Sequence, residues 1–227
     1  MRIAFCTVGN WHKSLFGLLK QNKAHKWMLV KPEDGLEKSL LVFKPDFVFF
    51  FRWHSVIPKQ IVERFVCIGF HPTNLPFGRG GSPLQNLLLK GIYRTKLSAF
   101  RITERLDEGP VYLKRNFDLS SGSCQFLYDY MGLVNAEMML EIIENGLKPV
   151  PQKGRVVVFK RRVPSQSELP SNLGLRNFFD FVRMLDGEDY PKAFLNLGGL
   201  RLEFSEAALK TNCVEAKVVT RKEAGKQ

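Results

Sequence analysis

The chain has 227 residues, with 34 Lys plus Arg against 22 Asp plus Glu, a formal net charge of +12, and 44% hydrophobic and 25% charged residues. That composition excludes disorder over most of the length and is enough for a buried core without disulfide staples. The longest apolar runs, such as Phe47-Val48-Phe49-Phe50-Phe51, stop well short of the ~20 residues a membrane span needs, so no membrane partner is expected.

Residues 2–8 are mostly apolar, as in a strand buried on both faces, and Gly9-Asn10 supplies a turn before the periodic run Trp11, Leu15, Leu18, Leu19. This opening is too short and too weakly basic for a signal-peptide core, and the expected location is the cytoplasm. A short strand follows at 25–30, then an acidic helix start at Pro32-Glu33-Asp34 with Leu36, Leu40 and Leu41 on one face. Phe47 to Phe51 reads as a buried strand, Pro58 opens a short helix to Arg64, and Val66 to Phe70 forms another buried strand. Ser82-Pro83 predicts a helix with Ser as its cap. Strand alternating with helix implies a Rossmann-like open α/β sheet, largely parallel, with helices on both faces.

After Gly91 the runs 95–102 and 110–117 alternate at period two, which predicts strands exposed on one face, and 126–143 recurs at helical spacing up to Gly146. Pro149 and Pro151 mark a boundary between a main domain of residues 1–150 and a small C-terminal α+β extension of residues 151–227. In that extension the pattern gives strands at 155–160, 199–204 and 213–220, a helix at 174–185 and a solvated basic tail. Cys6, Cys67, Cys124 and Cys213 are scattered without a CxxC pair and read as reduced structural thiols. The positive charge suits nucleic acid, an anionic surface or a phosphorylated substrate. Its densest part, Lys148, Lys153, Arg155, Lys160, Arg161 and Arg162 around Val156 to Phe159, also fits a solvated strand edge.

Two loops concentrate residues suited to chemistry. The first, His71-Pro72-Thr73-Asn74-Leu75-Pro76-Phe77-Gly78-Arg79-Gly80-Gly81, follows a buried strand and precedes a helix, the usual place for a site in an open α/β sheet. Its glycines allow close backbone approach, the helix start offers N–H groups to an anion, and Arg79 adds a fork suited to phosphate. The second, Thr103-Glu104-Arg105-Leu106-Asp107-Glu108-Gly109, joins the alternating strands and would by itself be only a turn.

Together these loops resemble the signature of formyltransferases that use N10-formyltetrahydrofolate, where a His-Pro-Ser-Leu-Leu-Pro loop and a Leu-Asp-x-Gly loop carry the catalytic His and Asp. The resemblance covers about residues 1–150, including Ser55-Val56-Ile57-Pro58. It implies that His71 stabilises a developing oxyanion and helps to move a proton, while Asp107 orients His71. It also implies that Val56, Ile57, Pro58 and the backbone of Thr103, Glu104, Arg105, Leu106 and Asp107 hold the pterin, with neither metal nor prosthetic group required. Phe77 to Asn86 and Met184 to Phe194 look most like the branch that formylates nucleotide-linked amino sugars, with Arg79 and Asn74 facing the substrate. Where the family usually has Asn two residues before the His, this chain has Gly69. A strand that turns residues 69 and 71 to one side would leave space there, open to the Asn74 amide, a backbone N–H or water. His12, His25, His54 and Trp53 are read as structural.

The expected function is therefore formyl transfer to the amine of a nucleotide-linked sugar. Methionyl-tRNA formyltransferase is the alternative, favoured by the charge and opposed by the shortness of residues 150–227, so that tRNA ranks below a sugar as partner. A ribonucleotide formyltransferase ranks third. An inactive folate- or nucleic-acid-binding relative is the reading from another class, supported by Gly69. The oligomeric state, a homodimer included, is left open.

Overall fold

In a computed structural model of the chain, the described residues are 1–8, 13–188 and 190–222. The expected turn at Gly9-Asn10, Trp11, His12, Asp189 and the tail beyond Lys222 lie outside them. The chain divides into two compact units, one of residues 1–80, 95–117 and 129–158, the other of residues 81–94, 118–128 and 159–227. Among the described residues no helix is long and apolar enough to cross a membrane.

The first unit is built on a six-stranded sheet of β1 (Arg2–Thr7), β2 (Lys26–Val30), β3 (Phe47–Phe51), β4 (Cys67–His71), β6 (Arg94–Arg101) and β7 (Val111–Asp118), in the order β2-β1-β3-β4-β6-β7. The pairs β1–β2, β1–β3 and β3–β4 are parallel, and β4–β6 is antiparallel. Helices follow the strands as expected: α1 (Lys13–Leu19), α2 (Leu36–Phe43) and α3 (Lys59–Arg64). On one face of the sheet Ala4, Cys6, Val48, Phe50 and Cys67 pack with Leu40 of α2 and with Ile61 and Val62 of α3. On the other, Phe5 stacks on Phe51 at 4.2 Å and meets Phe16 of α1 at 5.7 Å, while Phe51 meets Phe70 at 4.8 Å. Both faces are thus covered by helices, which is why these strands read as continuous apolar runs rather than alternating ones. Burial pushes the Cys67 thiol up to about 12, and none of the cysteines forms a disulfide.

Several local expectations are corrected. The acidic helix start is a separate 3₁₀ turn at Pro32–Asp34, and Gly35 at φ 74° breaks it from α2. β6 is not exposed on one face: the successive residues Leu97, Ser98, Ala99 and Phe100 are all buried, so both faces of this inner strand are covered. Ser98 misled the alternation, since its hydroxyl is needed inside, donating to the Thr73 carbonyl at 2.7 Å and accepting from the Leu75 N–H. The expected loop at 77–80 is a short strand, β5 (Phe77–Gly80). The expected opening beside Gly69 is filled, because a Cβ placed there would lie 3.1 Å from Ile102 Cδ1 and 3.2 Å from Phe100 Cε1.

The long helix α5 (Cys124–Glu144) and the three-residue strand β8 (Val157–Phe159) follow β7, and β8 pairs with β5. The second unit contains α4 (Pro83–Leu89), α6 (Leu175–Arg183) and an antiparallel sheet of β9 (Ala193–Leu197), β10 (Leu200–Leu209) and β11 (Val214–Lys222). Ser82 does not cap α4 through its side chain; at φ 48° its Oγ instead accepts the Arg162 N–H at 3.0 Å. Strand β9 is an addition to the predicted elements. Its hairpin to β10 turns through Gly198-Gly199, both at positive φ, a two-residue connection that glycine pairs permit. Helix α6 lies on β10 through an edge-on contact of Phe178 with Phe204 at 5.7 Å. Its other polar face is turned inward: Arg183 is 1% and Asp180 3% exposed. Arg183 Nε donates to Asp180 Oδ1 at 2.7 Å, and its other nitrogens donate to the Gly122 and Leu119 carbonyls. Asp180 Oδ2 accepts from Tyr93 Oη at 2.6 Å and from Arg176 Nε at 2.9 Å. Burial, together with the Asp180 carboxylate, holds the Tyr93 hydroxyl above its usual range.

Two stability predictions follow from this packing. Asp180→Ala strands the Arg183 guanidinium in the interior and should cost about 3–5 kcal/mol in urea unfolding; a loss below ~1 kcal/mol would contradict the buried network. Gly69→Asn must displace Ile102 and Phe100 and should cost about 1–3 kcal/mol by overpacking, so an unfolding midpoint equal to that of the parent chain would show that this space was open.

Candidate active site

The two loops singled out in the sequence meet at the end of β4, within the first unit. His71 is the last residue of that strand and is only 7% exposed. Its Nε2 lies 2.7 Å from the Gly78 carbonyl, which can only accept, so this nitrogen carries the hydrogen. In the neutral ring the lone pair is then on Nδ1, which faces Asp107 Oδ2 at 3.6 Å. The same carboxylate oxygen accepts the Gly80 N–H at 2.9 Å. Thus β5 supplies both of the backbone groups that hold the pair, a carbonyl for His71 and an amide for Asp107.

The backbone conformations explain the residue types. Gly80 turns its amide toward Asp107 at φ 99°, a conformation that glycine adopts without a Cβ clash. Gly109 has no room for any side chain, because a Cβ there would sit 1.7 Å from the Arg101 carbonyl oxygen. Asp107 itself is left-handed at φ 53°, which short polar side chains tolerate better than others.

Arg79 does not present its fork outward. Its Nε and Nη2 donate to Gln152 Oε1 at 3.2 and 2.8 Å, and Nη1 pairs with Glu108 Oε1 at 3.2 Å, with the side chain 13% exposed. Asn74 is exposed and its Oδ1 accepts from Lys114 Nζ at 2.7 Å; with Phe100 and Ile102 filling the space beside Gly69, Asn74 is directed elsewhere. Lys114 also donates to the Leu75 carbonyl and so ties down the loop after His71, and burial lowers its affinity for a proton.

The residues expected to hold a pterin lie on two loops of the first unit. Val56 is 93% and Leu106 73% exposed, two apolar side chains left facing solvent, whereas Ile57 packs against the core beside Trp53 and Ile102. Pro58 caps α3, and Lys59 at its start pairs with Glu104 at 2.9 Å, joining α3 to the loop of Thr103, Glu104 and Arg105. Exposed apolar side chains beside a loop backbone suit a flat heterocycle, so these residues fit a pterin. His25 packs edge-on against Trp27, and Trp53 against Phe50, while His25 Nδ1 and Trp53 Nε1 are buried without a hydrogen-bond partner among the described residues. Sequence reasoning missed Gln152, whose amide touches three residues of the two loops; its one signal was a polar residue between Pro151 and Lys153, which there reads as linker.

Comparison with known proteins gives this geometry its context. Residues 12–125 match the formyl transferase family, and residues 164–221 match the C-terminal domain of methionyl-tRNA formyltransferase. A solved structure of methionyl-tRNA formyltransferase from Clostridium thermocellum is 36% identical and superposes with a TM-score of 0.93, over 98% of this chain and 99% of that one. The methionyl-tRNA formyltransferase of Thermodesulfovibrio yellowstonii is 28% identical over 66% of this chain and 51% of its own length. The chain spans about half the length of the curated relatives it matches. A sugar N-formyltransferase from Shewanella is 13% identical, with a TM-score of 0.68 over 93% of this chain and 100% of that one, a likeness of fold alone. These findings overturn the expected sugar branch, and with it the nucleotide-linked sugar as partner and the low rank given to tRNA. The motif at 184–194 lies within the stretch 164–221 that matches the C-terminal domain of methionyl-tRNA formyltransferase, so a short extension does not exclude the tRNA branch. The chain belongs to the formyl transferase family, of the type that uses N10-formyltetrahydrofolate.

Proposed function

We propose that this chain transfers a formyl group from N10-formyltetrahydrofolate to the α-amino group of methionine carried on tRNA, in the cytoplasm. The observation that carries this reading is the match of residues 164–221 to the C-terminal domain of methionyl-tRNA formyltransferase. The 36% identity over nearly the whole length of the Clostridium structure supports it. So does the net charge of +12, since a basic chain gains from neutralising phosphates.

N10-formyltetrahydrofolate supplies, when bound, a formyl carbon attached to nitrogen. Val56, Ile57 and Pro58 and the backbone of residues 103–107 hold its ring system. His71 is the general base. With Nε2–H committed to the Gly78 carbonyl, Nδ1 is the nitrogen that takes the proton lost by the methionyl amine as its nitrogen bonds to the formyl carbon. Asp107 Oδ2, 3.6 Å away, then stands beside the positive ring, and the proton passes on to the nitrogen that leaves. The protein forms no covalent bond in this scheme; it orients two ligands and moves a proton.

His71→Ala and Asp107→Asn should each lower formylation of methionyl-tRNA by ~10²–10³ with the fold intact, measured as formylmethionyl-tRNA formed with N10-formyltetrahydrofolate. Near-normal turnover in either variant would sink the assignment. Binding of tRNA should weaken at least ~10-fold between 50 and 200 mM salt, as expected when several phosphates are contacted; an affinity indifferent to salt would argue that tRNA is not the partner.

A further inference from the structure

The Gln152 amide is placed so that all of its hydrogen-bonding capacity is used. Nε2 donates one hydrogen to the Asp107 carbonyl and the other to the Gly109 carbonyl, each at 2.8 Å. Oε1 accepts from Arg79 Nε and Nη2. The orientation of the amide is unambiguous, since carbonyls only accept and guanidinium only donates. Gln152 follows directly on an anchored stretch of chain, because Val150 exchanges two backbone hydrogen bonds with Val111, both 2.8 Å. The amide therefore connects that anchor to the backbone on either side of Glu108, whose carboxylate pairs with the same guanidinium.

We propose that Gln152 is a positioning residue for the transfer: by clamping the Asp107 and Gly109 carbonyls against Arg79, it sets the direction from which the Asp107 carboxylate meets His71. Its role rests on the proposed reaction, but its physical basis is separate. Asp107 is left-handed, and its carboxylate accepts the Gly80 N–H from the other loop, so its direction depends on where its own backbone is held. Without the clamp the 103–109 loop is free to rotate the carboxylate away from Nδ1. A displacement of about 1 Å in such a group costs on the order of 10²-fold in rate.

The test uses the full chain with Gln152→Met, which removes both halves of the clamp at similar volume, and Gln152→Glu, which keeps an acceptor for Arg79 but turns an oxygen toward the two carbonyls. Both should lower kcat by up to roughly 10²-fold, a larger effect than on the KM for N10-formyltetrahydrofolate, whose ring the backbone of the same loop holds. In an Asp107→Asn background Gln152→Met should cost little more, because the group it positions is already gone. Hydrogen exchange at the Gly80 amide, which reports the Asp107 contact without any turnover, should accelerate in both Gln152 variants. Losses that add fully across the double variant would overturn the proposal, as would a rise in KM alone. A parent chain that formylates no methionyl-tRNA would overturn the functional reading itself; exchange at Gly80 still decides the clamp, and unchanged protection in Gln152→Met overturns it.

Discussion

One carboxylate oxygen organises the candidate site. Asp107 Oδ2 takes the Gly80 N–H at 2.9 Å and faces His71 Nδ1 at 3.6 Å, so it links the strand that ends in His71 to the loop that follows β6. Its demands explain the glycines on both loops better than flexibility does. Gly80 must present its amide from a conformation that a larger residue enters at a cost, and Gly109 must leave the Arg101 carbonyl unobstructed where the loop returns to β7. Glu108, Arg79 and Gln152 then form a second ring of contacts outside the first, so the carboxylate is held from its own side chain, its own backbone and the residue after it.

The parts of the fold visible in the sequence were those that depend on burial and on local backbone chemistry. The apolar runs of β1, β3 and β4 fix the parallel core, and the two loops stood out because Gly, Pro, His and Asp cluster there for reasons that act within a few residues. Other features depend on partners far along the chain. Gln152 is 45 residues from Asp107 and 73 from Arg79, and nothing in its neighbours distinguishes a saturated amide from a solvated one. Arg79 read as a phosphate fork for the same reason, since its partners Glu108 and Gln152 neutralise and occupy it only once the chain has folded. Ser98 broke the expected pattern of β6 because hydrophobic periodicity assumes that polar means outside, whereas its hydroxyl serves two backbone groups of the His71 loop.

The second unit shows the same effect in a stronger form. Helix α6 was expected from its spacing, and a charged residue on a helix is ordinarily solvated. Instead Asp180 and Arg183 are buried and satisfied by Tyr93, Arg176 and the carbonyls of the 119–122 segment. Such an arrangement contributes less to stability than its number of contacts suggests, because removing two charges from water offsets much of the attraction. Its value is specificity of place. A hydrocarbon core would accept several registers of the 118–128 segment, whereas two carbonyls and a carboxylate each at hydrogen-bond distance accept one.

Gly69 bears on which chemistry the site can rely upon. The family pattern has an amide side chain at that strand position, and here the side chains of Ile102 and Phe100 occupy the space, so a polar donor is replaced by hydrocarbon. The imidazole does not make up the loss in its neutral form, because its hydrogen points to the Gly78 carbonyl and its lone pair to Asp107. Donors to a developing oxyanion act only when their hydrogens are unspent before the charge appears. In the proposed reaction the ring is therefore better suited to accept a proton than to donate a hydrogen bond. The rate advantage then comes from proton removal matched to the Asp107 charge and from holding two ligands in line. In the proposed reaction that division of labour makes turnover sensitive to the angle between carboxylate and imidazole, in keeping with contacts that converge on Asp107 rather than on the residue two positions before the histidine.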